Sequence, residues 1–251
     1  MQRYFINEND INGENVVITG KDYHHIKNVM RMRKDEQVIV CTNKGIAYLA
    51  SVEAFLEAEV CLKIVNRLED KVELDVEVTI AHGLVRREKA EEVIRRLSEL
   101  GASYYLPVTM ERSIIKVKDN ENRKNERQQL IAKEASEQAH RTKVMQISEI
   151  ISFTELLKIA PNYDLCLVAY EEKGRDKDLS LMKLLKAFTK QQILVVIGPE
   201  GGFSPREINL LTAAAFHLVG LGPRILRTET APLYVMSAIS YQLELGEDDE
   251  N

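Results

Sequence analysis

The residues best suited to chemistry lie in one stretch, 192–231, which reads QILVVIGPEGGFSPREINLLTAAAFHLVGLGPRILRTETA. Its first loop, residues 198–202 (GPEGG), offers free backbone groups and one carboxylate, that of Glu200. Glycines lack a Cβ, so the backbone can approach a ligand closely there. The Gly-x-x-x-x-Gly-Lys-Ser/Thr motif of phosphate sites and the Gly-x-Gly-x-x-Gly motif of dinucleotide sites are both absent. The loop therefore suits an amine or sulfonium ligand better than a polyphosphate, and a purely structural turn remains the alternative for its glycines.

Two short apolar runs must position this loop and a second one. Residues 193–197 predict a strand buried on both faces, and residues 218–221 predict another strand, which ends in Gly222-Pro223. Between them, Ser204 and Glu207 occupy the N-cap and third positions of a predicted helix. Ligands of an open α/β sheet bind beyond the carboxyl ends of its strands, so the two loops should form walls of one pocket.

The two motifs together resemble a known family. GPEGGFSxxE followed by LGxRILRTETA resembles the signature of the SPOUT methyltransferases, which carry a deep trefoil knot. More closely, it resembles the ribosomal RNA small-subunit methyltransferase E family, which methylates N3 of a uridine in 16S rRNA. The resemblance rests on two ordered motifs at the family's spacing. It implies an α/β fold with an N-terminal PUA-like β-barrel and a C-terminal SPOUT domain, knotted at about 160–245.

The resemblance also implies a cofactor site built from three segments. S-adenosylmethionine would lie bent in the knot, with its adenine held by the backbone of residues 198–202 and 221–226, and with residues 169–171 as a third wall. The implied cofactor-binding residues are Ala169, Tyr170, Gly198, Pro199, Glu200, Gly201, Gly202, Leu221, Gly222, Ile225, Leu226 and Thr228.

Methylation of uridine N3 makes two demands on the residues around the methyl donor. N3 must lose its proton and be held in line with the sulfonium methyl group. Arg227 can stabilise the negative charge that develops on the uracil oxygens. Glu229 is the nearest carboxylate that could accept the proton, and a bracing role in the loop is the alternative. We therefore expect Arg227 and Glu229 to be the catalytic residues.

Residues 1–70 predict a separate β module, to which the resemblance assigns RNA binding. Short apolar runs divided by turn signals such as Asn12-Gly13 indicate a small β-barrel or sandwich. Residues 22–33 predict one helix with Asp22 as its N-cap, and this segment resembles the family's PUA-like domain. Of the adjacent His24 and His25, we expect one to be packed and one exposed, without a metal.

Several arginines of the chain could contact RNA phosphates. Arg3, Arg31 and Arg33 carry the guanidinium fork that matches a phosphate, with solvated surface as the alternative. In the predicted methyltransferase domain, residues 71–246, the resemblance adds Arg112 of the ERS segment and Gln138 and Arg141 of EASEQAHR. Two departures from the family put local RNA contacts in doubt, because Gln128 replaces a common Trp and the usual Pro after Arg141 is absent.

Composition and the chain's last helix complete the expectations. The chain has 251 residues, a net charge of −5 and no long apolar run, so we expect a cytoplasmic protein without a membrane span. Three scattered cysteines support neither disulfides nor a metal site. The helix after Thr230 has two apolar faces, and together with the resemblance this predicts a homodimer. Residues 247–251 predict a frayed acidic tail.

Two rival functions remain open at this point. A non-catalytic RNA-binding or ribosome-assembly protein could keep the same fold, although it would have no reason to retain both loop motifs. A phosphate-binding α/β enzyme would need a lysine in the first loop, which GPEGG lacks.

Overall fold

A computed structural model describes residues 1–69, 71–115, 122–174 and 180–246. The predicted acidic tail, residues 247–251, lies outside these ranges. The chain divides into two compact units, Met1–Glu73 with Ser136–Val144 and Leu74–Ala135 with Met145–Asn251. In the part of the chain that the structure describes, no helix has the length and apolarity that crossing a membrane requires.

The first unit is built on a six-stranded sheet. Its strands are β1 (Arg3–Ile6), β2 (Ile11–Asn12), β3 (Asn15–Thr19), β4 (Gln37–Thr42), β5 (Ala47–Phe55) and β6 (Glu59–Leu68). They are ordered β1-β4-β5-β6-β3-β2, and only the β1–β4 pair is parallel among the pairs in this sheet. Alternate valines such as Val38, Val40 and Val52 are completely buried, so one face of the sheet forms the core that the alternating pattern predicts.

The predicted helix over residues 22–33 is wrong in its bounds. Helix α1 (Gly20–His24) begins two residues before Asp22, after Thr19 at the end of β3, and continues as one π-helical turn, His25–Val29. Val29 is 58% exposed, so this apolar residue of the predicted helix does not pack against the core. His25 Nδ1 lies 2.9 Å from the Tyr4 hydroxyl and His24 is exposed, which confirms that one histidine is packed and the other is not.

The second unit is built on a parallel seven-stranded sheet. Its strands are β7 (Glu77–Gly83), β8 (Tyr104–Thr109), β9 (Gln146–Ile147), β10 (Ile151–Ser152), β11 (Leu165–Ala169), β12 (Gln192–Ile197) and β13 (His217–Val219). The main order is β10-β8-β7-β12-β11-β13, and β9 pairs with β8. Because all pairs are parallel, the carboxyl ends of β7, β11 and β12 meet at one edge of the sheet.

Helices connect these strands. They are α2 (Arg87–Glu99), α3 (Asn122–Gln138), α4 (Phe153–Ile159), α5 (Ser180–Lys186), α6 (Pro205–Ala213) and α7 (Ala231–Ser240), with 3₁₀ turns at Glu8–Asp10, Ala160–Asn162 and Glu171–Gly174 and a π-helical turn at Tyr241–Leu245. The predicted capping box of α6 is confirmed, since the Ser204 hydroxyl accepts a hydrogen bond from the Glu207 backbone and the Glu207 carboxylate accepts one from the Ser204 backbone. Helix α6 therefore begins directly after the first loop.

Candidate functional site

The first loop and the second loop, residues 221–230, line one pocket at the carboxyl edge of the parallel sheet. The pocket has a volume of about 780 Å³, within the range of small-molecule sites. All twelve predicted cofactor residues line it, as do Arg112, Arg227, Glu229 and Glu171 of the expected third wall. It is also lined by residues that the sequence did not single out, namely Lys89, Glu172, Ile197, Phe203, Pro205, Ile208, Asn209, Arg224 and Ala231. The first loop follows β12 and the second loop follows β13, with α6 between them in sequence. The two loops lie close together because β12 and β13 both pair with β11.

Glycines keep the first loop open by letting neighbouring backbone approach it. A Cβ at Gly201 would lie 2.9 Å from the Cβ of Arg112 and 3.0 Å from its carbonyl oxygen. At the end of β7, a Cβ at Gly83 would lie 2.6 Å from the Pro199 ring. Gly202 has a φ of 66°, the left-handed region that favours glycine, although space is open around it. Side chains at Gly83 or Gly201 would displace the loop.

A carboxylate network fixes the segment that carries Arg112. The Ser204 hydroxyl donates to Glu111 Oε2 at 2.7 Å, and the Glu111 backbone N–H donates to Glu207 Oε1 at 2.8 Å. Arg112 itself donates to the Gly201 carbonyl oxygen at 3.2 Å. Loop 110–113 is therefore held against the first loop and the start of α6.

A buried chain of hydrogen bonds runs beneath the pocket from Tyr105 through His82 and Thr228 to Gly198. The Tyr105 hydroxyl lies 3.0 Å from His82 Nδ1, and His82 Nε2 lies 2.9 Å from the Thr228 hydroxyl. That hydroxyl donates to the Gly198 carbonyl oxygen at 2.7 Å. His82 is 0% exposed, and its burial lowers its pKa to about 4, so the imidazole is neutral at physiological pH. The buried chain links the two loops to the end of β7.

A surface triad of Glu200, Lys89 and Glu229 makes a second link between the loops. Lys89 Nζ lies 3.4 Å from Glu200 Oε1 and 3.0 Å from Glu229 Oε2, and about a third of its side chain is exposed. The hydrogen bond to Glu229 is the main cause that raises the pKa of Lys89. Lys89 lies in the first turn of α2, and its position in the sequence does not reveal whether its side chain faces the pocket or solvent. The sequence signal that could have found it is that α2 begins just after the carboxyl end of β7, where ligands of a parallel sheet bind.

Arg227 and Glu229 differ in how firmly they are held. The Arg227 side chain is 85% exposed, with its Nη1 3.9 Å from Glu229 Oε1, whereas the Glu229 side chain is 19% exposed. Burial alone would raise the pKa of Glu229, but its own backbone N–H and the charges of Lys89 and Arg227 outweigh this effect and lower it. Glu229 is therefore an ionised, positioned carboxylate beside an exposed guanidinium.

The structure corrects the predicted RNA contacts of Arg3 and Arg141. Arg3 is 5% exposed and donates to the Arg141 carbonyl oxygen at 3.0 Å, and Arg141 is 4% exposed with its Nη2 2.6 Å from Glu73 Oε2. Glu73 also accepts from the backbone of Thr142 at 2.8 Å. Both guanidiniums are buried within the first unit, so they do not face a phosphate. Removing Glu73, the ion-pair partner of the buried Arg141, would cost about 3–5 kcal/mol of stability.

The other predicted RNA-binding residues lie at the surface. Arg31 and Arg33 follow the π-helical turn and are exposed, and Arg31 has a left-handed φ of 54°. Gln138 ends helix α3 with an exposed side chain, and Arg112 is exposed at the pocket rim. Among the residues that the structure describes, no group of three or more His, Cys, Asp or Glu could hold a metal ion.

Comparisons with known proteins match both units. A model described as the RNA methyltransferase domain matches residues 72–240, and one described as the RNA methyltransferase PUA domain matches residues 18–60. The "Ribosomal RNA small subunit methyltransferase E" of Bacillus subtilis (strain 168) is 39% identical over 256 residues, covering 100% of both chains. The protein of the same name from Synechocystis is 31% identical, covering 91% of this chain and 74% of its own length.

A solved structure extends the likeness to three dimensions. The Ribosomal RNA small subunit methyltransferase E from Neisseria gonorrhoeae, bound to S-adenosyl methionine, superposes with a TM-score of 0.83 at 27% identity. The match covers 96% of this chain and 97% of that one.

Proposed function

The chain belongs to the ribosomal RNA small-subunit methyltransferase E family, and from that premise we propose how its pocket methylates N3 of a uridine in 16S rRNA. The enzyme is an S-adenosylmethionine-dependent methyltransferase that acts on the RNA of the small ribosomal subunit. The position on the base, the residues that perform the reaction and the surface that grips the RNA are the parts proposed here.

The observation that carries the proposal is the single pocket formed by the two loops. Its walls include residues 198–202, 221, 222 and 224–226, which the resemblance assigns to the adenine. The carboxylates of Glu200 and Glu229 lie in the same lining and can attract a sulfonium. Lys89 is the lysine of the lining, and it is engaged by both carboxylates, so it does not create a phosphate site.

We assign cofactor binding to the twelve residues that were expected to provide it. Gly198, Gly201 and Gly202 keep the first loop close to the ligand, Thr228 ties the second loop to Gly198, and Ala169 and Tyr170 close the third side. When bound there, S-adenosylmethionine supplies an electrophilic methyl group. The chain's own task is to hold the uridine N3 in line with that group.

Arg227 and Glu229 are proposed to prepare the uracil for reaction. The exposed guanidinium of Arg227 is free to reach the uracil oxygens and to stabilise their charge as N3 loses its proton. Glu229 is ionised because its pKa is lowered, so it can accept that proton or a hydrogen bond from N3. Its ion pair with Lys89 makes it a weak base, and bracing of the second loop is the other role open to it.

The RNA is gripped by exposed positive charge on each unit. At the pocket rim this charge comes from Arg112, Arg224 and Arg227, and on the first unit from Arg31 and Arg33. Gln138 adds an exposed amide that can contact a base or a phosphate. Since sequence-specific RNA recognition targets unpaired bases, these contacts serve to orient the strand while the target base enters the pocket.

Four further expectations accompany this function. The match to the RNA methyltransferase domain over residues 72–240 supports a trefoil knot at about 160–245 and a boundary between the domains near residue 70. Helix α7 and the turn after it leave Tyr234, Tyr241 and Leu245 exposed by 44%, 66% and 71%, an apolar face suited to a second copy of the chain in a homodimer. A ribosomal RNA substrate supports a cytoplasmic location for the enzyme.

The test compares Arg227→Ala with Arg206→Ala, an exposed arginine on α6 that does not line the pocket. Each protein is incubated with S-adenosylmethionine and small-subunit RNA, either naked or in particles, and the digested nucleosides are identified by mass spectrometry. We expect N3-methyluridine from the wild type and from Arg206→Ala. Arg227→Ala should lose at least about 100-fold in rate with cofactor affinity nearly unchanged. Full activity of Arg227→Ala would remove this residue from the mechanism, and no methylated uridine from the wild type would overturn the function.

A further inference from the structure

The buried chain beneath the pocket contains a histidine that the proposed reaction does not use. His82 is the last but one residue of β7, and both of its ring nitrogens have partners at 3.0 Å or less. Neither Tyr105 nor His82 lines the pocket, so neither touches the cofactor or the base. A fully buried polar side chain with both nitrogens paired marks a position where geometry is fixed by hydrogen bonds.

The hydrogen-bond directions in this chain are determined by its last member. The Gly198 carbonyl oxygen can only accept, so the Thr228 hydroxyl must donate its proton to it. The Thr228 oxygen is then free to accept from His82, so the proton of the neutral imidazole resides on Nε2. Nδ1 accepts in turn from the Tyr105 hydroxyl. One tautomer therefore satisfies every donor in the chain.

Thr228 makes this chain relevant to the reaction because of its neighbours. It lies between Arg227 and Glu229 in the second loop, while its hydroxyl reaches the first loop at Gly198. The end of β7 is itself pressed against the first loop, because a Cβ at Gly83 would meet Pro199 at 2.6 Å. His82 is thus the point at which the central sheet, the first loop and the second loop are joined.

We infer that His82 is a positioning residue, which sets the separation of the two loops by donating from Nε2 to Thr228. This inference rests on the proposed function, because the quantity that it controls is affinity for S-adenosylmethionine. The role requires a donor at the Nε2 position and does not require a titrating group. Glutamine can place an amide N–H close to the same point, whereas phenylalanine retains the ring shape without any donor.

The primary test measures S-adenosylmethionine affinity by calorimetry for the wild type, His82→Gln and His82→Phe, with thermal unfolding recorded for each. We expect His82→Phe to weaken binding about tenfold and His82→Gln to remain within about threefold of the wild type. The KM for RNA should not change. Wild-type affinity in a folded His82→Phe protein, or no recovery in His82→Gln, would overturn the inference.

Tyr105→Phe is the matched control for a merely structural role. It removes the hydrogen bond on the far side of His82 while leaving the contact with Thr228 in place. We expect it to lower the unfolding temperature with less than a twofold change in affinity. A tenfold loss in Tyr105→Phe would show that general destabilisation, and not the Thr228 contact, controls affinity.

A second variant keeps the inference testable should His82→Phe fail to fold. Thr228→Val removes the hydroxyl to which His82 donates and should lose about tenfold in affinity. Wild-type affinity in a folded Thr228→Val protein would refute the role assigned to His82. A wild type that binds no S-adenosylmethionine would instead refute the proposed function, so the two failures are distinguishable.

Discussion

The two links between the pocket loops use opposite physical means. The buried chain is neutral, completely shielded from water at His82, and made of short hydrogen bonds. The surface triad is charged, partly exposed, and made of ion pairs at 3.0 and 3.4 Å. Hydrogen bonds in the interior are strengthened by low dielectric and costly to leave unmade, while exposed ion pairs are screened by water and salt.

The difference suggests a division of labour between the two links. The buried chain fixes where the loops stand, because its geometry admits one arrangement of donors and acceptors. The surface triad adjusts charge at the pocket mouth, because Lys89 helps to lower the pKa of Glu229 and its ion pairs join side chains only. Among variants of the two links, those in the buried chain should weaken binding more than those in the surface triad.

The largest loss of S-adenosylmethionine affinity should come from a substitution that changes the shape of the first loop itself, even though both links remain in place. Gly201→Val would drive a side chain into Arg112, whose Cβ is 2.9 Å from the position of a Cβ at Gly201. We expect S-adenosylmethionine binding to fall at least about 100-fold, because backbone must move. Gly202→Ala is the matched control, since it has open space and only backbone strain on the order of 1 kcal/mol. Retained binding in Gly201→Val would contradict the placement of the ligand.

The buried chain should reveal itself in the pH dependence of stability. The pKa of His82 is about 4 in the folded chain, below the unfolded value of about 6.5. The unfolded chain thus takes up a proton first as the pH falls. The stabilisation is fully present above about pH 6.5 and decreases by about 1.4 kcal/mol per pH unit toward pH 4, on the order of 3 kcal/mol in total.

Urea unfolding at several pH values measures this component when wild type and His82→Gln are compared. Carboxylates such as Glu73 titrate in both proteins, so their contributions cancel in the difference. The wild type should lose stability more steeply than His82→Gln between pH 6.5 and 4. Parallel curves for the two proteins would mean that His82 is not held neutral in the folded chain.

The surface triad should give the smallest effect. Lys89→Met keeps the length of the side chain and removes its charge, so S-adenosylmethionine affinity should change by less than about fivefold at low salt. The difference from the wild type should shrink further at high salt, because exposed ion pairs are screened. Calorimetry at two salt concentrations makes the measurement. An effect larger than that of His82→Phe would reverse the division of labour.

Local sequence signals were sufficient to predict the pocket walls. Gly198-Pro199 and Gly222-Pro223 end apolar strands. The capping box at Ser204 correctly predicts that α6 begins at Pro205. These signals act over a few neighbouring residues, and chain connectivity then delivers the loops to the carboxyl edge of a parallel sheet. The two predicted loops therefore line the observed pocket, whereas its third wall at residues 169–171 was expected only from the resemblance.

The residues whose contacts the sequence missed or misjudged depend on partners that are distant in sequence. His82 and Thr228 are 146 residues apart, and their contact exists only because β7 lies beside β12. Arg3 is buried because Arg141, 138 residues away, presents a carbonyl oxygen to it. No periodicity within either segment encodes such pairings, so an arginine at the start of a strand was expected at the surface.

The central claim is that the paired loops bind a methyl donor and not a nucleotide phosphate. Isothermal titration of the full-length wild type with S-adenosylmethionine and, separately, with ATP tests this most directly. We predict saturable binding of S-adenosylmethionine at one site per chain and no binding of ATP. Binding of ATP without binding of S-adenosylmethionine would contradict the account.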